Sequence, residues 1–162
     1  FRKLTKKFRE LARYVLAAGG EVAFEWPTPC RFWKDKEVQL MVDELKLRVA
    51  KFHGCGAGLV SVVPNDAGTP LKRPWSVATT CERLRQELER MQCPGRDEHP
   101  THSATRGRNA AASAGYTERM IRAVHRCWRM TVRQKTSGSG GLDKVGTAAA
   151  CAEKENQNSW RS

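Results

Sequence analysis

An α/β fold is what the sequence predicts: a small, mostly parallel sheet flanked by helices, followed by a disordered basic tail. Three observations carry that expectation. Amphipathic helical stretches alternate with short β-rich runs from Leu4 onward, as in βαβ architecture. The first of those runs, 22–26 (Val-Ala-Phe-Glu-Trp), reads as a buried strand set between Gly19-Gly20 and Pro27. Beyond Thr131 the chain turns Gly/Ser/Lys-rich and loses its periodicity. With 162 residues the chain has room for one core-bearing domain, assigned to 1–130, and a tail over 131–162.

The elements follow in order. Leu4, Phe8, Leu11 and Val15 recur at helical spacing, with Lys3, Lys6, Lys7, Arg9 and Arg13 on the remaining surface. They predict an amphipathic helix with a basic outer face, which Gly19-Gly20 closes. Strand 22–26 comes next, and Pro27, which has no N–H to give a ladder, stops it. The stiff loop Pro27-Thr28-Pro29-Cys30 leads to Arg31-Phe32-Trp33, whose rings either cover the sheet edge or stack on a base. A second helix carries Val38, Met41, Val42 and Leu45, with Asp35 as its N-cap. Residues 47–53 predict a second strand, closed by the glycine cluster at 54, 56 and 58. That cluster lacks the Lys-Ser/Thr ending of a phosphate-binding loop. Another short strand is expected over 59–63, then a turn at Pro64-Asn65-Asp66-Ala67-Gly68, then a strand over 75–79. Thr79 and Glu82 stand at capping-box spacing before a third helix that buries Leu84, Leu88 and Met91. Residues 93–115 form a polar, basic loop, and a last helix from about Thr117 presents Met120, Ile121, Val124 and Trp128 as its apolar side.

Charge narrows the partners. Against 17 acidic residues stand 29 Lys and Arg, a formal net charge of +12, which favours polyanions and nucleic acid first among them. No apolar run approaches the roughly 18 residues of a membrane span, and the first residues resemble no signal sequence. The six cysteines form no Cys-x-x-Cys pair and read as reduced thiols, so an intracellular setting, cytoplasmic or nuclear, is expected. A chain that starts with Phe1 is expected to be a piece of a longer product.

Three groupings carry potential chemistry. Cys93, His99 and His102 offer three metal ligands within ten positions, and His53 and Cys55 stand where they would approach from the end of the second strand. A Cys-x5-His-x2-His spacing without a second cysteine pair is a weak match to a zinc site, and surface histidines in a polar loop are the commoner reading. Cys30, in the loop after the first strand, and Cys81, at a helix start, are candidate nucleophiles or plain structural thiols. Finally Glu25 ends one strand and Arg73 enters another, and the two would meet at one sheet edge if the strands are parallel neighbours. A carboxylate exchanging a proton beside a cation suits chemistry on nucleobases.

At these residues the order of features resembles the second half of a cytosine-5 DNA methyltransferase catalytic domain, as carried in polyproteins of protist and algal retroelements. Phe24-Glu25-Trp26-Pro27 stands where that family has its Glu-Asn motif. Gly68-Thr69-Pro70-Leu71-Lys72-Arg73-Pro74-Trp75 stands where it has Gly-x-Pro-Gln-x-Arg-x-Arg. The resemblance implies half of a Rossmann-like domain, with Glu25 as a catalytic relic in the place of the Glu that protonates cytosine. It implies Arg73, with Lys72 and Arg31 beside it, on nucleic acid. Trp26, Leu71 and Trp75 replace the motif's Asn, Gln and second Arg; no Pro-Cys precedes Phe24, and no glycine-rich cofactor loop is present. The implied function is therefore a truncated, mobile-element-derived domain that contacts nucleic acid without catalysis of its own. S-adenosylmethionine enters only through an upstream domain of the same polyprotein. The alternatives are a non-catalytic module that binds zinc or a protein partner through 93–102, and a translated remnant without selected activity.

Overall fold

The structure is a computed structural model and describes residues 1–138. Phe1–Arg129 form one compact unit; of the second, Met130–Ser162, the described part is helical as far as Gly138. The rest of the expected tail lies outside the described residues.

The elements are helix α1 (Arg2–Ala17), strand β1 (Ala23–Pro27), helix α2 (Lys36–Glu44), strands β2 (Arg48–His53) and β3 (Pro74–Thr79), and helices α3 (Glu82–Glu89), α4 (Gly107–Ala112) and α5 (Glu118–Gly138). One sheet forms in the order β1-β3-β2, and both of its pairings are antiparallel. The mostly parallel, half-Rossmann sheet expected from the sequence is therefore corrected. β1 and β2 are both antiparallel to β3, so they run parallel to each other across the α2 crossover, with a gap one strand wide between them. β3 fills the gap in the reverse sense. Its register sets Val77 opposite Glu25 on one side and Ala50 on the other.

Alternation along the strands divides the interior into two layers. On one face, Phe24, Trp26, Val49 and Ala78 meet α1 and α2 through Phe8, Ala12, Leu16, Val38 and Met41. On the other, Ala50, Phe52, Trp75 and Val77 meet α3 and α5 through Leu84, Leu88, Met120, Ala123 and Cys127. Helices on both sides of the sheet are thus as the sequence suggested. Asp35 caps α2 as expected, its side chain accepting the Glu37 backbone N–H at 2.9 Å.

Other local expectations changed. In α1, Leu4 and Leu11 are exposed, at 71% and 61%, while Thr5 and Ala12 are buried. The face is chosen by the aromatic cluster of Phe24, Trp26 and Trp33, which takes Phe8 edge-on at 5.4 Å. In α5 the buried positions are Met120, Ala123 and Cys127, which join the cluster of Val77, Leu84 and Leu88, and Ile121, Val124 and Trp128 are exposed. Residues 59–63 make only the bridge Val60↔Pro70. The capping box at α3 does not form: Thr79 Oγ1 donates to Val22 O and accepts the Cys81 N–H. Glu82 instead pairs with Arg48 and Arg85, whose guanidinium hydrogen bond takes its carboxyl down to about 2.

Phe32 and Trp33 cover the sheet. Phe32 stacks on Phe1 with ring centroids 3.7 Å apart, and Trp33 stacks on Phe24 and donates its Nε1–H to Pro27 O at 3.1 Å. Those rings are occupied, and Arg31 lies over the Phe32 face.

Candidate metal centre

Strand β2 ends at His53 and runs into Gly54-Cys55-Gly56-Ala57-Gly58, a tight 3₁₀ turn that reverses at Gly58 with φ +85°. This turn receives a second segment, 91–93, laid along the outer edge of β2. The His53 N–H donates to Met91 O at 3.0 Å, and the Gln92 amide donates to Lys51 O at 2.8 Å. The approach is so close that a Cβ on Gly56 would lie 2.3 Å from Gln92 O and 2.4 Å from Met91 O. Only glycine allows it, and the result is that Cys93 arrives beside Cys55.

From Cys93 the chain turns at Gly95 (φ +102°), where the His99 N–H donates to Gly95 O, and swings His99 and His102 back over the same point. Cys93 Sγ lies 3.9 Å from His99 Nδ1 and 3.4 Å from His102 Nε2. The two imidazole rings are nearly perpendicular, at 83°. The ligand atoms of Cys55, Cys93, His99 and His102 all fall within 4.8 Å of one another. A tetrahedral zinc with bonds of about 2.0–2.3 Å separates its ligand atoms by roughly 3.3–3.8 Å, so small rotamer adjustments bring this set into coordination.

The sequence-level set of Cys93, His99 and His102 is thus brought together, and Cys55 completes it. His53 takes a different part: its Nδ1 accepts the Cys93 N–H at 3.3 Å, orienting the backbone of a ligand as outer-shell groups do. Burial pushes the Cys55 thiol up to about 11, with the neighbouring Cys93 adding to the shift. Burial also lowers the pKa of His53, helped by Lys72, and that of His102, helped by His99 and Lys72. A neutral imidazole is the form that ligates.

The far end of the loop is tied down by a group the sequence did not single out. Asn109, on α4, is buried; its Oδ1 accepts from Ser61 Oγ and the Val62 N–H, both at 3.0 Å, and its amide donates to Ser103 Oγ and Ala104 O. The start of α5 is fastened to the ligand turn, with Thr117 Oγ1 donating to Ala57 O at 2.6 Å and Arg119 to Gly56 O at 2.9 Å. An Asn inside a polar loop gives no periodic signal, and its partners are remote in sequence.

The other candidate residues are distributed elsewhere. Glu25 and Arg73 do lie near one another, because antiparallel pairing sets the end of β1 beside the start of β3; parallel neighbours would have put them at opposite ends. Arg73 is engaged structurally, donating to Ser113 Oγ and to Ala110 O. Burial raises the Glu25 carboxyl above its usual range, against the opposing influence of Tyr116 and Arg73. Lys72 and Arg31 are exposed. Cys30 precedes the Arg31–Lys34 turn and Cys81 is buried ahead of α3. Comparison with protein-family models, with curated proteins and with solved structures gives no match to this chain.

Proposed function

We propose that this chain is a zinc-binding, non-catalytic module, a three-stranded antiparallel sheet between helices, in which the metal staples the 93–106 loop to the end of strand β2. The observation that carries the reading is the convergence of two thiols and two imidazoles from separate chain segments on one point. Two cysteines and two histidines are a donor set for zinc, and four protein ligands leave no coordination position for a substrate or an activated water. The metal's role is then architectural. Reduced thiols at this centre accord with a reducing, intracellular compartment.

The chain purified from cells grown in zinc-supplemented medium is expected to carry one zinc per molecule by atomic emission. Stripping the metal with a strong chelator is expected to loosen 93–106, seen as faster amide exchange there than in β3. A zinc content far below one, or exchange unaltered by the chelator, contradicts the reading.

A second reading concerns the partner. The net charge of +12, together with the exposure of Lys72 beside the centre and of Arg31 over Phe32, favours nucleic-acid contact by a basic surface. No helix among the described residues is long and apolar enough to cross a membrane. Affinity for a single-stranded oligonucleotide is expected to fall steeply with salt. The pair Lys72→Ala and Arg31→Ala should reduce the log–log salt slope by about one to two, one per phosphate contact. A slope unchanged in the double variant assigns the contact to other residues.

A further inference from the structure

Two of the four groups at the metal centre can react with each other, and the fold holds those two together by bonds that do not involve a metal. The turn bearing Cys55 and the segment bearing Cys93 are joined by the His53 N–H on Met91 O, the Gln92 amide on Lys51 O and the Cys93 N–H on His53 Nδ1. Gly56 lets the two backbones close up beside Gln92. The Cys55 and Cys93 thiols accordingly lie within 4.8 Å and in hydrogen-bond reach of one another. The histidines are held differently. His99 and His102 sit on the stretch that turns at Gly95, is bonded within itself from the His99 N–H to Gly95 O, and rejoins the fold where the Ser103 N–H donates to Pro70 O. Exposure also separates the thiols: Cys55 is buried, and Cys93 is half-buried at the surface.

We propose that Cys93 is a peroxide-reactive thiol with Cys55 as its resolving partner, so that oxidation exchanges the zinc for a Cys55–Cys93 disulfide; this rests on the zinc reading above and assigns that centre its regulation. In the first step the Cys93 thiolate attacks one oxygen of hydrogen peroxide. The O–O bond breaks, and with one proton the products are a sulfenic acid and a water. The Cys55 thiolate then attacks the Cys93 sulfur and expels hydroxide, which takes a second proton and leaves as water. The thiolate pair loses two electrons, the peroxide is reduced to two waters, and the divalent ion is released. Release follows because the thiolate is the form that ligates a metal, and the disulfide leaves only two imidazoles of a four-ligand set. The order of attack follows exposure, since the oxidant reaches Cys93 before Cys55. The bonds that hold residues 91–93 along β2 persist without the metal, so forming the new bond of about 2.05 Å asks for movement of the side chains rather than of the segments. One staple is thereby exchanged for another: Cys93 stays fastened to the end of β2, while residues 94–102 are let go.

The test takes the full chain, its zinc content measured by atomic emission, and adds hydrogen peroxide in small molar excess beside a chromophoric zinc chelator. Release of one zinc per chain is expected, with an intact mass lower by two hydrogens and a tryptic product that links the Cys55 and Cys93 peptides. Amide exchange should quicken over 94–102 and stay slow in β3. Dithiothreitol followed by zinc should restore the thiols and the metal together. In the metal-stripped chain, Cys55→Ser should leave Cys93 as a sulfenic acid that dimedone traps, where the parent gives the disulfide. A chain without zinc before peroxide contradicts the metal reading and this proposal with it. A chain that holds zinc and keeps it under peroxide, or releases it with Cys55 and Cys93 unlinked, overturns this proposal alone. So does fast exchange throughout β3, which makes the release a consequence of unfolding.

Discussion

Cys93→Ser is expected to remove stoichiometric zinc and lower the melting temperature by roughly 10–20 °C in zinc-containing buffer, while changing it little in excess chelator. A ligand at a thousandfold its dissociation constant stabilises the native state by about 4 kcal/mol, and a domain of this size shifts by several degrees per kcal/mol. Serine conserves the volume of cysteine but offers a hydroxyl in place of a soft thiolate, so the metal is lost while the packing stays. The comparison in chelator separates the two contributions. Cys93 is only half-buried, and its backbone N–H remains bonded to His53 Nδ1 whichever side chain it carries. A melting curve equally depressed with and without zinc would make Cys93 a packing residue and remove the metal reading. Cys55→Ser is expected to behave alike in zinc, with an added loss in chelator because Cys55 is buried in the core.

The second large effect is at a glycine. Gly56→Ala should destabilise the chain by about 3 kcal/mol even without metal, the upper end of the range of roughly 1–3 kcal/mol for forcing a methyl into a packed site. The obstructing atoms are backbone carbonyl oxygens of Met91 and Gln92, which cannot rotate away as a side chain would. Relief requires the 91–93 segment to lift from β2, giving up the bonds from the His53 N–H to Met91 O and from Gln92 to Lys51 O. Cys93 then moves away from Cys55, so zinc affinity falls together with stability. Gly58→Ala is the matched control: it carries φ +85° but has open space around it, so about 1 kcal/mol of backbone strain is expected and zinc binding should survive. Urea unfolding in chelator, with zinc titration of the same variants, measures both quantities. Equal costs at the two glycines would mean that the close approach at Gly56 has no structural weight.

Much of the framework was written in local pattern. The apolar spacing of Val38, Met41 and Leu45, the Asp35 cap, and the buried Leu84, Leu88 and Met91 were legible, because helix period and capping chemistry act within a few residues. The faces of α1 and α5 were not. In both helices large apolar residues, Leu4 and Leu11 or Ile121 and Trp128, compete with a stripe bearing Ala12 or Ala123 and Cys127. Hydrophobicity favours the larger set, whereas the cluster each helix meets, Phe24, Trp26 and Trp33 for α1 and Val77, Leu84 and Leu88 for α5, takes the other. Strand direction was misread because alternating helices and strands suggested parallel neighbours. A signal for the true order existed: Pro74–Thr79 bears no charge and is almost wholly buried, as a central strand must be, while Glu25, Arg48 and Lys51 mark the two outer ones.

By itself, then, the sequence determined where α1, α2, α3, α5 and the three sheet strands lie, that helices pack on both sides of one sheet, and that Cys93, His99 and His102 are available to a metal. It missed α4 inside the expected 93–115 loop and placed a strand over 59–63 that makes only a bridge. The fold alone decided that β3 runs against its neighbours and that Cys55 completes the ligand set. The physical reason is range. Period, caps and turns are set by neighbours along the chain, but the Cys55–Cys93 meeting depends on a backbone contact at Gly56 between segments joined only through the whole of β3 and α3.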